Sequence, residues 1–151
     1  MFGIPRAPLI LGLAGLLPFI AAAFVSTFPG TASDAQTAHL LTAVDGLAAL
    51  SLYGTIILSF MSGVLWGFAT KVEGSKATIG YVLSVLPALW AFFLRGSSVT
   101  DTLFYLSIGF LGLLILDYYF FRKGLTPPWW MRLRIMLTVI VVVCLSIGAA
   151  Q

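Results

Sequence analysis

Side chains able to carry chemistry are few and scattered. In 151 residues the chain holds one histidine, His39, one cysteine, Cys144, five Asp or Glu and eight Lys or Arg. A single histidine excludes a bis-histidine haem within one chain, and a single cysteine excludes an intrachain disulfide or a CxxC redox pair. A zinc site with several Cys or His ligands cannot be assembled. Cys144 lies between Val143 and Leu145 and reads as a small apolar packing residue. No Ser/His/Asp set, paired intramembrane carboxylates or Gly-rich phosphate loop is present. We therefore expect no catalytic residues, no metal, no cofactor and no enzymatic activity.

The remaining candidates are charges. Asp117 sits inside an apolar run, and an ionisable group in such a position is a functional suspect by default. Arg122 follows it closely, and Arg132 and Arg134 open the next apolar run. The expectation is a salt bridge from Asp117 to Arg132 or Arg134, clamping two helices. The competing reading is a proton, ion or lipid-headgroup site. Arg122 and Lys123 lie in the most basic connection, which suits anionic headgroups or a partner's acidic surface, although such charges also serve to set topology. Asp45 lies at the opposite boundary near His39 and reads as solvated; two isolated groups do not make a proton relay.

These residues need elements to position them, and composition says which kind. Hydrophobic residues make up 60% of the chain and charged residues 9%, against a globular norm of roughly 25% charged. So few charges cannot cover a soluble fold. Five stretches are long and apolar enough to cross about 30 Å of hydrocarbon: about 8–28, 46–70, 77–94, 102–121 and 131–149. They lack the alternation of a lipid-embedded barrel, and helices satisfy their own backbone groups in lipid. The expected fold is all-α, a single domain over 1–151 with five transmembrane helices. The pI of about 9.3 comes from short basic clusters between apolar runs and is no evidence for nucleic-acid binding.

Five crossings place seven of the eight basic residues on one side, with Arg95 alone on the other. By the positive-inside rule the N-terminus is cytoplasmic and the C-terminus opposite. Trp129 and Trp130, beside Pro127-Pro128, read as an interfacial aromatic belt. The run from Pro8 exceeds a usual signal-peptide core and reads as a retained span. Without an Arg- and Ser-rich transit segment before it, the expected location is a bacterial inner membrane, ahead of the mitochondrial one. Within 29–45, Ser33 and Gln36 form a capping-box pattern, so 34–44 is expected to be a short interfacial helix or an extension of the second span beyond the membrane, with Gly46 as a bend. Pro18 and Pro87 fall mid-span and are expected to kink their helices.

Ser51, Thr55, Ser59, Gly63 and Gly67 recur every four residues along the second span. Small residues on one stripe let backbones approach closely, and hydroxyls can bond across the contact. The expectation is packing against a neighbouring helix of the same bundle, with docking onto a partner as the other use.

Three segments together resemble the uncharacterised membrane family typified by transmembrane protein 69, found in bacteria and mitochondria. They are Pro8, Gly12, Gly15, Pro18 and Phe19; then Tyr53, Gly54, Ser59, Phe60, Gly63, Trp66 and Gly67; then Asp117 with Gly124, Pro128, Trp129, Arg132 and Arg134. One departure from the resemblance is Leu65, where a histidine is expected before the Trp-Gly pair. The resemblance implies a multi-pass inner-membrane protein and supplies no catalytic residues.

The function expected from these readings is a non-catalytic accessory subunit or assembly factor of a larger inner-membrane complex, respiratory or photosynthetic. Its partners would be membrane lipids and other membrane proteins, with self-association open. A small oligomeric transporter or channel is the alternative. An enzyme acting on lipids or quinones has least support, because the acid-base inventory is nearly empty.

Overall fold

The structure is a computed structural model that describes residues 3–27, 42–93 and 96–151. Among the described residues the elements are five helices: α1 (Arg6–Ser26), α2 (Ala43–Ala69), α3 (Ser75–Phe93), α4 (Val99–Arg122) and α5 (Trp130–Ala149). Each is long and apolar enough to cross a membrane, so the five expected spans are present with ends shifted by a few residues. His39, Arg95 and the Ser33–Gln36 capping pattern lie outside the described residues, as does most of the expected 34–44 helix.

Local signals set the helix ends. α2 begins at Ala43, not Gly46, with Thr42 as its N-cap: the Thr42 hydroxyl accepts from the Asp45 N–H, and the Asp45 carboxylate accepts from the Thr42 N–H. Asp45 is thus a capping residue. Ser98 and Asp101 repeat the same reciprocal cap on α4, and each satisfies donors that a helix start leaves open. Two residues past the end of α4 stands Gly124, which takes φ 72°. There Leu125 N–H reaches the Phe120 carbonyl and Gly124 N–H the Phe121 carbonyl, the paired bonds of a Schellman motif that a residue without Cβ makes cheaply. This turn folds α5 back alongside α4.

The helix α2 touches all four others, whereas α1 packs on α2 and α5, and α3 packs on α2 and α4. The core runs through Phe19, Leu50, Leu58, Leu65, Leu103, Phe110, Leu113, Phe120 and Leu145, all at most 1% exposed. Leu65 is therefore a packing residue here. Phe19 and Phe110 meet edge-on at 6.1 Å between ring centroids, joining α1 to α4 through side chains. Cys144 is buried in the same core.

Close helix approach uses different glycines from those in the sequence stripe. A Cβ on Gly46 would lie 2.5 Å from Ser26 N and 2.8 Å from Ala22 O, so α1 and α2 touch backbone to backbone there. α2 continues through Gly46, whose role is this contact and not the expected bend. A Cβ on Gly80 would sit 2.9 Å from Ala69 Cβ, at the α2–α3 contact. Gly109 makes room for Trp90, whose ring would lie 2.8 Å from an added Cβ and whose Nε1–H donates to the Tyr105 carbonyl at 2.8 Å. Pro18 and Pro87 both lie inside continuous helices. In the turn before Pro87, the Ser62 hydroxyl of α2 donates to the Ser84 carbonyl, a side-chain bond that ties α2 to α3.

Candidate functional site

Asp117 and Arg134 meet across α4 and α5. Asp117 lies five residues before the end of α4 and Arg134 four after the start of α5. At 1.5 Å per residue both sit roughly 6–8 Å inside the same boundary. Arg134 Nε–H donates to Asp117 Oδ2 at 2.7 Å, and the two side chains are 5% and 0% exposed. Arg132, two residues earlier, projects roughly 200° away around the helix and is exposed. Of the two arginines expected to pair with Asp117, the buried partner is Arg134.

A third member was not anticipated. Trp130 Nε1–H donates to Asp117 Oδ1 at 2.8 Å, so both carboxylate oxygens are engaged. Trp130 stacks edge-on against Phe68 of α2 at 5.0 Å, and Lys71 Nζ lies 5.0 Å from the Phe68 ring while donating to the Leu125 carbonyl at 3.0 Å. The connection after α2 and the one after α4 therefore lie on the same face, as the two crossings between them, α3 and α4, require. The sequence signal for Trp130 was its place four residues before Arg134, on the same helical face.

The pair does not satisfy everything around it. Among the described residues, Arg134 Nη2 and Thr138 Oγ1 are buried without a hydrogen-bond partner, as is Thr126 Oγ1 in the α4–α5 connection. Arg134 and Thr138 both line a cleft of about 520 Å³ between α1, α2 and α5, floored by Phe110 of α4. Nearly all the rest of its wall is apolar, including Gly12, Phe19, Phe60, Val64 and Leu137.

The small-residue stripe divides. Ser51 and Thr55 line a polar depression with Ser97, Ser98 and Thr102 at the start of α4, and the Thr55 hydroxyl bonds back to the Ser51 carbonyl at 2.8 Å. Ser59 is half-buried. Gly63 and Gly67 are exposed, and a Cβ at either would meet nothing within 4 Å. The expectation that both glycines pack inside the bundle is corrected. The buried side of α2 carries Leu58, Ser62, Leu65 and Ala69 instead, and a four-residue step on a 3.6-residue helix drifts away from that side as it proceeds. Arg122 and Lys123 are exposed at the end of α4, with Lys123 Nζ 5.5 Å from the Tyr119 ring.

A family model described as protein of unknown function (DUF3429) matches residues 4–150. The chain belongs to this family. Over 147 residues it is 34% identical to transmembrane protein 69 of Xenopus tropicalis, an alignment covering 91% of this chain and 51% of the relative. The chain thus spans about half the length of that curated relative. No solved structure matches it. Five apolar helices and membership of this family make the chain a multi-pass membrane protein, and the resemblance carried by Pro8–Phe19, Tyr53–Gly67 and the Asp117–Arg134 region is a family relationship.

Proposed function

We propose that this protein is a non-catalytic accessory subunit or assembly factor that docks onto other proteins within a bacterial inner membrane, with its N-terminus cytoplasmic. The observation that carries the reading is the outward face of α2, where Gly63 and Gly67 lie open on the surface. In lipid, where tails are as apolar as leucine, helices associate by close packing, and small residues permit that approach. The exposed pair offers an incoming helix a backbone-level seat. The intramembrane charge supports the same reading, since both oxygens of Asp117 are held by Trp130 and Arg134, which suits a fixed strut between α4 and α5. For orientation, the support is the seven basic residues that alternating crossings place together. The complex served would be a respiratory or photosynthetic one.

The test is photo-crosslinking from a diazirine amino acid at position 63 or 67 in native membranes, followed by mass spectrometry. A recurrent heterologous membrane protein captured from both positions is the expected result. Self-crosslinks alone, together with solute or ion flux through the purified protein in liposomes, would overturn the accessory role in favour of an oligomeric transporter.

A further inference from the structure

The cleft beside Arg134 has the features of a ligand site. Its lining reaches from Ala7 and Trp129 at the helix starts to Phe19 and Val141 deeper in the bundle, about 18 Å along α1 at 1.5 Å per residue. Its volume of about 520 Å³ falls within the range of small-molecule sites, which combine apolar walls with a few placed polar groups. Here those groups are Arg134 and Thr138, one turn apart on α5 and 4% and 2% exposed. Each carries a buried polar atom with no partner, Nη2 of the guanidinium and Oγ1 of the hydroxyl. A helical threonine normally has its own i−4 carbonyl within reach, yet Thr138 does not use it. Buried polar groups are overwhelmingly paired, so two orphans on residues that line one cleft call for an acceptor from outside the chain.

The electrostatics define what that acceptor is. The charge of Arg134 is already balanced by Asp117 at 2.7 Å. A second anion would leave a net negative charge in a low-dielectric site, whereas a neutral oxygen accepts both hydrogen bonds without adding charge. We propose that this cleft binds a long apolar molecule through a neutral carbonyl oxygen, which accepts from Arg134 Nη2–H and the Thr138 hydroxyl while its chain lies along Gly12, Phe60, Val64 and Leu137. The ester carbonyl of a glycerolipid and the ring carbonyl of an isoprenoid quinone share this chemistry. The inference does not depend on the docking role of α2, which faces the bilayer at Gly63 and Gly67.

The experiment uses the full chain in nanodiscs of ether-linked phosphocholine, which supply hydrocarbon but no ester carbonyl. Three photoreactive probes of matched chain length are titrated: a diacylglycerol, a prenylated benzoquinone and an alkane. Saturable labelling of peptides containing residues 8–19 or 131–141 by a carbonyl probe, not displaced by excess alkane, is expected. The carbonyl probe that binds more tightly identifies the source. Thr138→Val keeps the shape of the side chain and removes only the unpartnered hydroxyl, so it should not lower stability and should weaken the carbonyl probe at least fivefold. Gly12→Phe, which fills the cleft from α1, should abolish labelling. Equal labelling by the alkane, no labelling by either carbonyl probe, or an unchanged affinity in Thr138→Val would overturn the proposal and leave the cleft as a space filled by bulk hydrocarbon.

Discussion

Removing the charge of Asp117 is the most informative perturbation of this fold. Asp117→Asn preserves side-chain shape and can still accept from Trp130, which donates at 2.8 Å in the native protein. It strips the counter-charge from Arg134, which is 5% exposed and cannot shed its own proton. Leaving one member of a buried pair uncompensated costs about 3–5 kcal/mol, a shift of more than a hundredfold in the folding equilibrium. Removing both charges costs far less, because paired burial and apolar replacement lie close in free energy. The double variant Asp117→Asn/Arg134→Met should therefore recover to within about 2 kcal/mol of the native protein. Reversible SDS titration in mixed micelles, read by helical circular dichroism, measures these two variants and Arg134→Met alone, which completes the cycle. The coupling between the two sites should exceed about 2 kcal/mol, within the range measured for groups in contact. A cost below about 1 kcal/mol for Asp117→Asn, a strength ordinary for solvent-exposed pairs, would refute the strut. So would strict additivity in the double variant.

The same titration gives further predictions. Trp130→Phe removes a hydrogen bond to a charged group and should cost about 1.5–3 kcal/mol, with no change in membrane insertion. Gly63→Ile, at a position where an added Cβ meets nothing, should leave the isolated chain as stable as before while losing co-purifying partners; a large loss of stability in detergent would show that α2 packs differently. Gly46→Val places a side chain against the backbone of Ala22 and Ser26 and should destabilise by about 1–3 kcal/mol through overpacking. Ser98→Ala removes the side-chain cap of α4 and should cost about 1 kcal/mol. Cysteine labelling at positions 71, 123 and 151 should place the first two on one side of the membrane and the last on the other; finding 123 and 151 together would end the five-crossing arrangement.

Local physics alone determined much of this protein. Hydrocarbon thickness and the cost of unpaired backbone groups turn five apolar runs into five helices. Reciprocal hydroxyl and carboxylate caps and a left-handed glycine then end them within a few residues of where composition changes. Asp117 was legible as a suspect because a carboxylate in an apolar run needs a partner, and equal depth from one turn made an arginine of α5 the natural choice. Which arginine, and whether Trp130 joins it, depended on the rotation of α5 about its axis. Sequence spacing specifies faces but not which face a neighbour covers. The same limit explains the glycines. Gly63 and Gly67 carry the more recognisable spacing, but Gly46, Gly80 and Gly109 make the close approaches, because helix rotation is decided by the sum of side-chain packing around the core. The cleft and its two orphaned polar atoms belong wholly to the tertiary structure. They arise where α1, α2 and α5 diverge over Phe110, a consequence of packing among helices far apart in the chain.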